Sequence, residues 1–209
     1  MISPLITKIE KSLSGQLPGR KAQELMAPDV RFAGHKFPDH SNSTPSGVLI
    51  LIFPGQDSEW TTIFIERTPY GPHGGQISLP GGKREKEDIS LAYTALRETG
   101  EEIGIMPGHI HILGELTPLY VPHSNFRISP FVGSLETEPE LVREKTEVKS
   151  IIKVKLKDLF NPKNKGYNTF YTSGFGIKAP VYKVKGHLIW GATAMIISEF
   201  EAIIGRQPH

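Results

Sequence analysis

The pattern of apolar and polar positions predicts several strands with helices interspersed among them. Val48–Phe53 is a continuous apolar run that ends at Pro54-Gly55, which is typical of a buried strand, and Thr61–Glu66 alternates well enough to pair with it. Further strands are predicted at Ile110–Tyr120, Ile128–Gly133, Val148–Val154 and Val181–Trp190. Ala192–Ile204 has the periodicity of a helix. We therefore expect an α+β fold with a mixed sheet flanked by helices.

The N-terminal part of the chain predicts a helical extension that precedes the sheet. Residues 3–14 and 19–27 place apolar and charged residues at helical spacing, and Pro18-Gly19 separates the two segments. We predict a helical N-terminal extension over residues 1–45 and a second part over residues 46–209, in a single domain overall. The extension is expected to pack on the core or on a second subunit, so it could support a homodimer.

Composition and charge exclude several classes of function. Hydrophobic residues make up 38% of the chain and charged residues 22%, which is ordinary for a globular protein. The net charge of +2 gives no broad field to attract nucleic acid or an anionic membrane, and no run of 18 apolar residues could span one. The absence of cysteine excludes disulfides, thiolate zinc sites and cysteine nucleophiles. Residues 1–15 lack the pattern of a signal peptide, so a cytoplasmic location is predicted.

One predicted helix carries an unusual group of acidic residues. It is expected to begin near Ser90, with Asp88 or Ser90 as its cap, and to end at Gly104. Positions three and four apart share a helix face, so three carboxylates would lie side by side and repel one another, those of Glu98, Glu101 and Glu102. A hard divalent cation would turn this repulsion into attraction. The alternative is a solvated acidic helix end in which Arg97 bonds to Glu101.

The same helix and the glycine turn before it carry a longer motif. Its members are Gly82, Arg97-Glu98, Glu101-Glu102, Gly104 and Ile105. This pattern resembles the Nudix box, Gly-x5-Glu-x7-Arg-Glu-U-x-Glu-Glu-x-Gly-U, where U is a bulky aliphatic residue. The chain departs from it because Asp88 stands for the first Glu, with eight residues before Arg97 instead of seven, and Thr99 replaces an aliphatic residue. The resemblance implies a Nudix-type α/β/α sandwich, with residues 46–209 as the Nudix hydrolase domain.

A second segment narrows the resemblance to one branch of the family. Asp with the longer spacing is similar to the coenzyme A pyrophosphatase-like enzymes, in which His-x-Gly-Gln-x-Ser-Phe-Pro-Gly-Gly precedes the box. Here residues 73–82 read HGGQISLPGG, with Leu79 in place of the Phe. The lead-in at residues 67–72 is one residue shorter than the branch pattern and lacks its second Arg. The two segments therefore indicate the Nudix family more specifically than they indicate coenzyme A as the substrate.

The resemblance implies roles for the residues of the motif. The glutamates expected to bind metal and take part in catalysis are Glu98, Glu101 and Glu102. Gly82 is a further metal-site residue, since a glycine turn lets backbone oxygens come close. Arg97 belongs to the catalytic group and would orient a neighbouring glutamate through a bidentate contact. Some family members take another metal ligand or base from a later loop, and Glu147 is the best candidate for it here. The expected cofactor is Mg²⁺ or Mn²⁺.

Several other residues could contact the substrate. Positively charged candidates for phosphate contact are Arg67, His73, Lys83, Arg84, His123 and Arg127. His73 and Gln76 belong to the branch-specific segment, so they are predicted, together with Arg67, to bind the substrate. Trp190 with Tyr182 could stack on an adenine, although a Trp at a strand–helix junction is more often part of the packing.

These residues predict a metal-dependent hydrolase that cleaves the pyrophosphate bond of a nucleoside diphosphate linked to another group. The substrate implied by the branch is coenzyme A or an acyl-CoA, which would give 3′,5′-ADP and 4′-phosphopantetheine. ADP-ribose, NADH or another nucleotide is the alternative within the same chemistry. A non-catalytic nucleotide-binding module is less favoured, because such modules typically lose box glutamates and this chain keeps all three. The expected partner is a small nucleotide, with no nucleic acid and no membrane.

Overall fold

Helices and strands alternate along the described part of the chain. The computed structural model describes residues 3–29, 42–70, 74–172 and 175–205. Its helices are α1 Pro4–Leu13, α2 Arg20–Glu24, α3 Leu91–Ile103, α4 Leu156–Leu159 and α5 Gly191–Gly205. Its strands are β1 Thr44–Pro54, β2 Trp60–Arg67, β3 Ile77–Ser78, β4 Gly81–Lys83, β5 His111–Glu115, β6 Leu119–Val121, β7 Phe126–Ser134, β8 Val148–Lys155, β9 Lys165–Thr172, β10 Phe175–Val184 and β11 His187–Ile189. Within these ranges, no helix combines the length and apolar character needed to cross a bilayer.

Strand β1 lies in the middle of an eight-stranded mixed sheet. It runs parallel to β7 and antiparallel to β2 and β4. Strands β3 and β8 pair with β2, and strands β5 and β6 pair with β7, all in antiparallel orientation. A separate antiparallel sheet has the strand order β11-β10-β9. The strands predicted at Val48–Phe53 and Thr61–Glu66 are thus confirmed within β1 and β2.

Both faces of β1 are buried, which explains its uninterrupted apolar run. Alternate side chains point to opposite faces of a strand. One face packs against α3 through Leu49, Leu51 and Phe53. The other face packs in a cluster with α1 and α5 through Ile50 and Ile52. The layers are therefore helix, sheet and helices, which confirms the predicted α+β fold of the α/β/α type.

The N-terminal helices pack on the core of the same chain. Ile9 of α1 is fully buried in the cluster that contains α5. Glu199 of α5 is also fully buried, and its carboxylate accepts hydrogen bonds from Gly19 N and from the Gln23 side chain, each at 2.9 Å. Of the two alternatives predicted for the extension, packing on the core is the one that the structure shows. The domain division at residue 45 and a homodimer stay predictions.

Two predicted strands are wrong in their extent, because turns interrupt them. Val181–Trp190 consists of the end of β10, a turn and β11. The turn residues Lys185 and Gly186 have φ of 49° and 79°, the left-handed values that favour a two-residue hairpin. Ile110–Tyr120 is divided into β5 and β6 by residues 116–118, whose proline cannot donate to the ladder. Strand β9 was not predicted, because its sequence KGYNTFYT lacks a run of aliphatic residues.

Candidate functional site

Helix α3 begins and ends at its capping residues. The Ser90 side chain caps the start, where it accepts a hydrogen bond from the backbone N–H three residues later at 3.1 Å. Gly104 ends the helix in the left-handed conformation with φ of 80°. Both predicted ends are confirmed, and Ser90 is the cap rather than Asp88. The apolar side of the helix packs on β1, while two of its glutamates contact β4.

Glu102 is buried between the glycine pair and an arginine of β2. Its exposed fraction is 1%, and its carboxylate accepts hydrogen bonds from Gly81 N at 2.9 Å and from Arg67 Nη2 at 3.2 Å. Burial is the main reason why the pKa of Glu102 rises to about 7. Arg67 and the Gly81 N–H lower this pKa, and the charges of Glu98 and Glu147 raise it. Glu102 is thus an enclosed carboxylate whose ionised form depends on a nearby cation.

Glu98 lies directly against Gly82. A Cβ atom on Gly82 would be 2.4 Å from Glu98 Cδ, so only glycine leaves room for this carboxylate. The Glu98 Oε1 atom is 3.0 Å from Arg97 Nη2. Burial raises the pKa of Glu98, Arg97 lowers it, and the charges of Glu101 and Glu147 raise it. The repulsion expected among the carboxylates is therefore present, and Glu147 takes part in it.

Arg97 connects α3 to the loop that precedes it. Its Nε and Nη2 atoms donate to the two carboxylate oxygens of Asp88 at 3.0 and 3.1 Å, and its Nη1 atom donates to Glu101 at 2.8 Å. Asp88 also accepts hydrogen bonds from the Thr94 hydroxyl and from Glu85 N, both at 2.9 Å. The guanidinium holds the pKa of the Asp88 carboxyl well below its usual range. The bidentate contact of Arg97 is therefore made with Asp88, which holds the loop, and not with a glutamate.

The alternative of a solvated acidic helix end describes Glu101 but not its neighbours. The Glu101 side chain is 59% exposed and is bonded to Arg97, as that alternative predicts. In contrast, the side chains of Glu98 and Glu102 are 15% and 2% exposed. Two of the three carboxylates are thus largely buried, and a buried charge without a partner is costly.

The loop before β8 is attached to the end of α3 and brings Glu147 to the glutamates. Glu144 N donates to Glu102 O at 3.1 Å, which satisfies a carbonyl at the helix terminus. Thr68 N donates to Glu147 O at 2.9 Å, which holds the loop against the end of β2. Because the charge of Glu147 raises the pKa of both Glu98 and Glu102, this residue belongs to the same electrostatic cluster.

The donor set of this cluster suits a hard divalent cation. Its oxygens come from carboxylates and from the glycine backbone, which are the ligands that Mg²⁺ and Mn²⁺ prefer. Among the described residues, no three acidic or histidine side chains already stand as a formed metal site. Instead, Arg67 is bonded to Glu102, and Arg97 contacts both Glu98 and Glu101. The two arginines therefore neutralise the charge that a metal ion would otherwise compensate. The oxygen ligands that these residues offer fit the predicted cofactor, Mg²⁺ or Mn²⁺.

Of the predicted substrate-binding residues, Arg67 contacts the glycine pair at 81–82, Gln76 is next to Arg67, and the third lies outside the described residues. Arg67 donates to Gly81 O at 3.1 Å as well as to Glu102. The backbone oxygen of Gln76 accepts a hydrogen bond from Arg67 N at 3.1 Å, so Gln76 is next to this arginine. His73 lies outside the described residues. The ion pair between Arg67 and Glu102 joins positions 35 residues apart, and no signal in the sequence pointed to it.

The aromatic candidates for adenine stacking belong to the packing. Tyr182 is fully buried, and the ring of Trp190 stacks on Phe170 with 4.0 Å between the ring centroids. The remaining charged candidates are exposed at two places: the β6–β7 hairpin, with His123 and Arg127, and a groove beside Glu98, with Lys83 and Arg84.

Comparison with known proteins finds a family model and several relatives. The model described as NUDIX domain matches residues 43–172, more than half of the chain. The mitochondrial coenzyme A diphosphatase NUDT8 of Homo sapiens is 36% identical over 132 residues, which cover 62% of this chain and 56% of that protein. The uncharacterized Nudix hydrolase NudL of Yersinia enterocolitica is 32% identical over 158 residues, which cover 75% of this chain and 80% of that protein.

A solved structure also resembles the fold. The MutT/nudix family protein from Enterococcus faecalis superposes with a TM-score of 0.55 and 17% identity, and the match covers 100% of this chain and 77% of that chain. At this identity the similarity concerns the fold alone. The chain spans less than two thirds of the human and mouse NUDT8 proteins, 56% and 61% of their lengths.

Proposed function

Because the chain belongs to the Nudix family, we propose that it is a divalent-metal-dependent hydrolase that cleaves the pyrophosphate bond of coenzyme A or an acyl-CoA. The observation that carries this proposal is the pair of enclosed carboxylates, Glu98 and Glu102, held against the glycines at 81–82. Such carboxylates are costly without a cation, and a pyrophosphate needs its charge neutralised before water can attack it. The products would be 3′,5′-ADP and 4′-phosphopantetheine or its acylated form.

The box glutamates would hold Mg²⁺ or Mn²⁺. Glu98 and Glu102 are the principal candidate ligands, and Glu101 would share in binding. The backbone oxygen of Gly82 and the carboxylate of Glu147 are further candidates. When bound, a divalent ion neutralises phosphate charge and lowers the pKa of a coordinated water. The presence of all three box glutamates also speaks against a non-catalytic nucleotide-binding module.

The remaining residues of the cluster would position these groups. Arg97 contacts Glu98 at 3.0 Å and connects it to the preceding loop. Arg67 and the backbone N–H of Gly81 hold the Glu102 carboxylate from two sides. Glu147 lies in the same cluster but forms no ion pair with the residues that the structure describes. Its carboxylate is therefore our candidate for accepting the proton of the attacking water.

Two features favour coenzyme A over ADP-ribose or NADH as the substrate. Residues 73–82 resemble the segment of the coenzyme A pyrophosphatase-like branch. The human and mouse relatives are named coenzyme A diphosphatases. The word mitochondrial in those names refers to those proteins, and a cytoplasmic location of this chain stays a prediction. A homodimer likewise stays a prediction.

Product analysis with a panel of nucleotides tests the proposal. Coenzyme A, ADP-ribose and NADH would each be incubated with the protein and Mg²⁺ or Mn²⁺, and the products separated by chromatography. We expect 3′,5′-ADP from coenzyme A only when a divalent ion is present. Glu102→Gln should lower kcat by about 10²-fold or more while the fold is retained. Glu140→Gln, at an exposed carboxylate without an ion pair among the described residues, is the matched control.

Two results would contradict different parts of the proposal. Cleavage of ADP-ribose without cleavage of coenzyme A would reject the substrate and leave the chemistry intact. If no compound of the panel were cleaved with either ion, the hydrolase would be rejected in favour of a nucleotide-binding module.

A further inference from the structure

An open groove lies beside Glu98 on the side of the loop that joins β4 to α3. Its volume is about 480 Å³, and it is lined by Lys83, Arg84, Glu85, Lys86, Glu87 and Glu98. All six residues are ionisable and none is aromatic, while the methylene stems of the lysines and the arginine contribute apolar surface. Because every lining side chain ends in a charged group and none is an aromatic ring on which adenine could stack, the groove suits a charged group.

The backbone of this groove is held in place relative to the carboxylates. Arg84 N donates to Pro45 O at 3.0 Å, which ties the loop to β1. Arg97 Nη2 donates to Lys83 O at 3.2 Å and also contacts Glu98 at 3.0 Å. One side chain therefore links the first residue of the groove to the candidate metal ligand at its end. A group bound in the groove would have a defined position relative to the bond that is cleaved.

Two ammonium groups in the groove are available for an anion. Lys83 and Lys86 are exposed, and neither forms an ion pair with any residue in the described ranges. Five lysines elsewhere are, in contrast, each paired with a carboxylate: Lys149, Lys153, Lys155, Lys157 and Lys165. The guanidinium of Arg84 donates to Asp88 O at 3.0 Å, so it is partly engaged. Glu85 and Glu87 line the same groove, and their charges limit how tightly an anion binds.

We propose that Lys83 and Lys86 bind a phosphate monoester of the substrate that lies outside the pyrophosphate bond being cleaved. The inference rests on the proposed function, because it places the pyrophosphate at the glutamates and the second phosphate in the groove beside Glu98. A phosphate monoester carries about 1.5 to 2 negative charges at neutral pH, and lysine binds it as a point charge. Coenzyme A has such a group on its ribose, whereas ADP-ribose and NADH have none. The groove thus selects between the two substrate classes.

A comparison of coenzyme A with dephospho-coenzyme A tests this inference. The measured quantity is the selectivity ratio, which is kcat/KM for coenzyme A divided by kcat/KM for dephospho-coenzyme A. We expect the double variant Lys83→Gln/Lys86→Gln to lower this ratio roughly 10-fold. Glu87→Gln should change it in the opposite direction, by about 2-fold to 3-fold, because a repelling charge is removed.

A matched control and a binding measurement complete the test. Lys163→Gln/Lys185→Gln removes the same charge at two lysines that do not line the groove, and it should leave the ratio unchanged. Calorimetry without metal would compare binding of 3′,5′-ADP with that of 5′-AMP, and the groove variant should lose the preference for 3′,5′-ADP. This readout does not depend on catalysis.

The outcomes separate the inference from the proposed function. If the wild-type protein cleaves coenzyme A but its selectivity ratio is the same in the groove variant and the control variant, the inference is wrong and the function stands. If the wild-type protein cleaves neither compound, the proposed function fails and the inference fails with it. A ratio that falls only in the groove variant supports both.

Discussion

Replacing Gly82 by alanine should displace the carboxylate of Glu98 while leaving the fold intact. An alanine Cβ would lie 2.4 Å from Glu98 Cδ and 2.4 to 2.5 Å from both carboxylate oxygens. The backbone cannot retreat, because Gly82 pairs with Gly47 of β1, whose own Cβ position is 2.3 Å from Leu91 O of α3. The flexible end of the Glu98 side chain must therefore move.

The size of this movement follows from ordinary contact distances. Carbon atoms normally approach other atoms to 3.4 Å or more, so the carboxylate must withdraw by about 1 Å. A misplacement of about 1 Å at a catalytic group can cost roughly 10²-fold in rate, which corresponds to about 2.7 kcal/mol of barrier. The withdrawal would also strain the 3.0 Å contact between Glu98 and Arg97. The free energy of unfolding should change by less than about 1 kcal/mol, since exchanging glycine for alanine also restricts the unfolded chain.

The assay compares kcat for coenzyme A, the affinity for Mn²⁺ and the melting temperature of the two proteins. We expect Gly82→Ala to lower kcat about 10²-fold and to weaken Mn²⁺ binding, with a melting temperature close to that of the wild-type protein. Gly108→Ala is the matched control, because nothing lies within 4 Å of its Cβ position and its φ is not in the left-handed region. The control should retain both rate and Mn²⁺ affinity.

Either of two results would refute this reasoning. A folded Gly82→Ala protein with wild-type kcat and Mn²⁺ affinity would show that the position of Glu98 does not matter. A large fall in melting temperature would show instead that the backbone, and not the Glu98 side chain, takes up the clash.

Two further predictions concern buried carboxylates away from the candidate metal ligands. Asp88→Asn should lower the free energy of unfolding in urea by roughly 1–3 kcal/mol, because Arg97 loses a buried charged partner at 3.0 Å while it keeps its contacts with Glu98 and Glu101. Since Arg97 holds the pKa of Asp88 low, the contribution of Asp88 to the free energy of unfolding is present above the unfolded-state pKa of about 3.9 and is lost as the pH falls toward the lower folded-state pKa. If the stability of the variant fell as steeply with decreasing pH as that of the wild-type protein, this reasoning would be contradicted. Glu199→Ala should destabilise the protein by roughly 3 kcal/mol, because the donors of Gly19 and Gln23 lose their acceptor. Amide hydrogen exchange in α1 and α2 should become faster for the same reason. Unchanged exchange would show that Glu199 does not hold these two helices on the core.

Much of the fold could be predicted from local patterns. The ends of α3 follow from Ser90 and Gly104, whose preferences act within one turn of the helix. The run Val48–Phe53 indicated a buried strand, and β1 is buried on both faces. The turn at 185–186 escaped prediction, because Lys-Gly is a weaker hairpin signal than Asn-Gly or Asp-Gly.

The candidate site could be predicted only in part. Spacing along one helix placed Glu98, Glu101 and Glu102 near one another, but it did not indicate which of them would be exposed. In the structure Glu101 remains in water while the other two are enclosed, because β4 and Arg67 lie on one side of the helix only. The bidentate partner of Arg97 was likewise predicted to be a glutamate and is Asp88 instead.

The sequence by itself determined the helix, its caps, the order of its charges and the motif that indicates the family, because all of these depend on residues within a few positions of one another. Only the tertiary structure decided that Arg67 meets Glu102 and that Glu147 joins the same cluster. Those contacts arise where β2, β4, α3 and the loop before β8 converge. Residues so far apart in the chain are brought together by packing of the sheet and its helices, which no local spacing encodes.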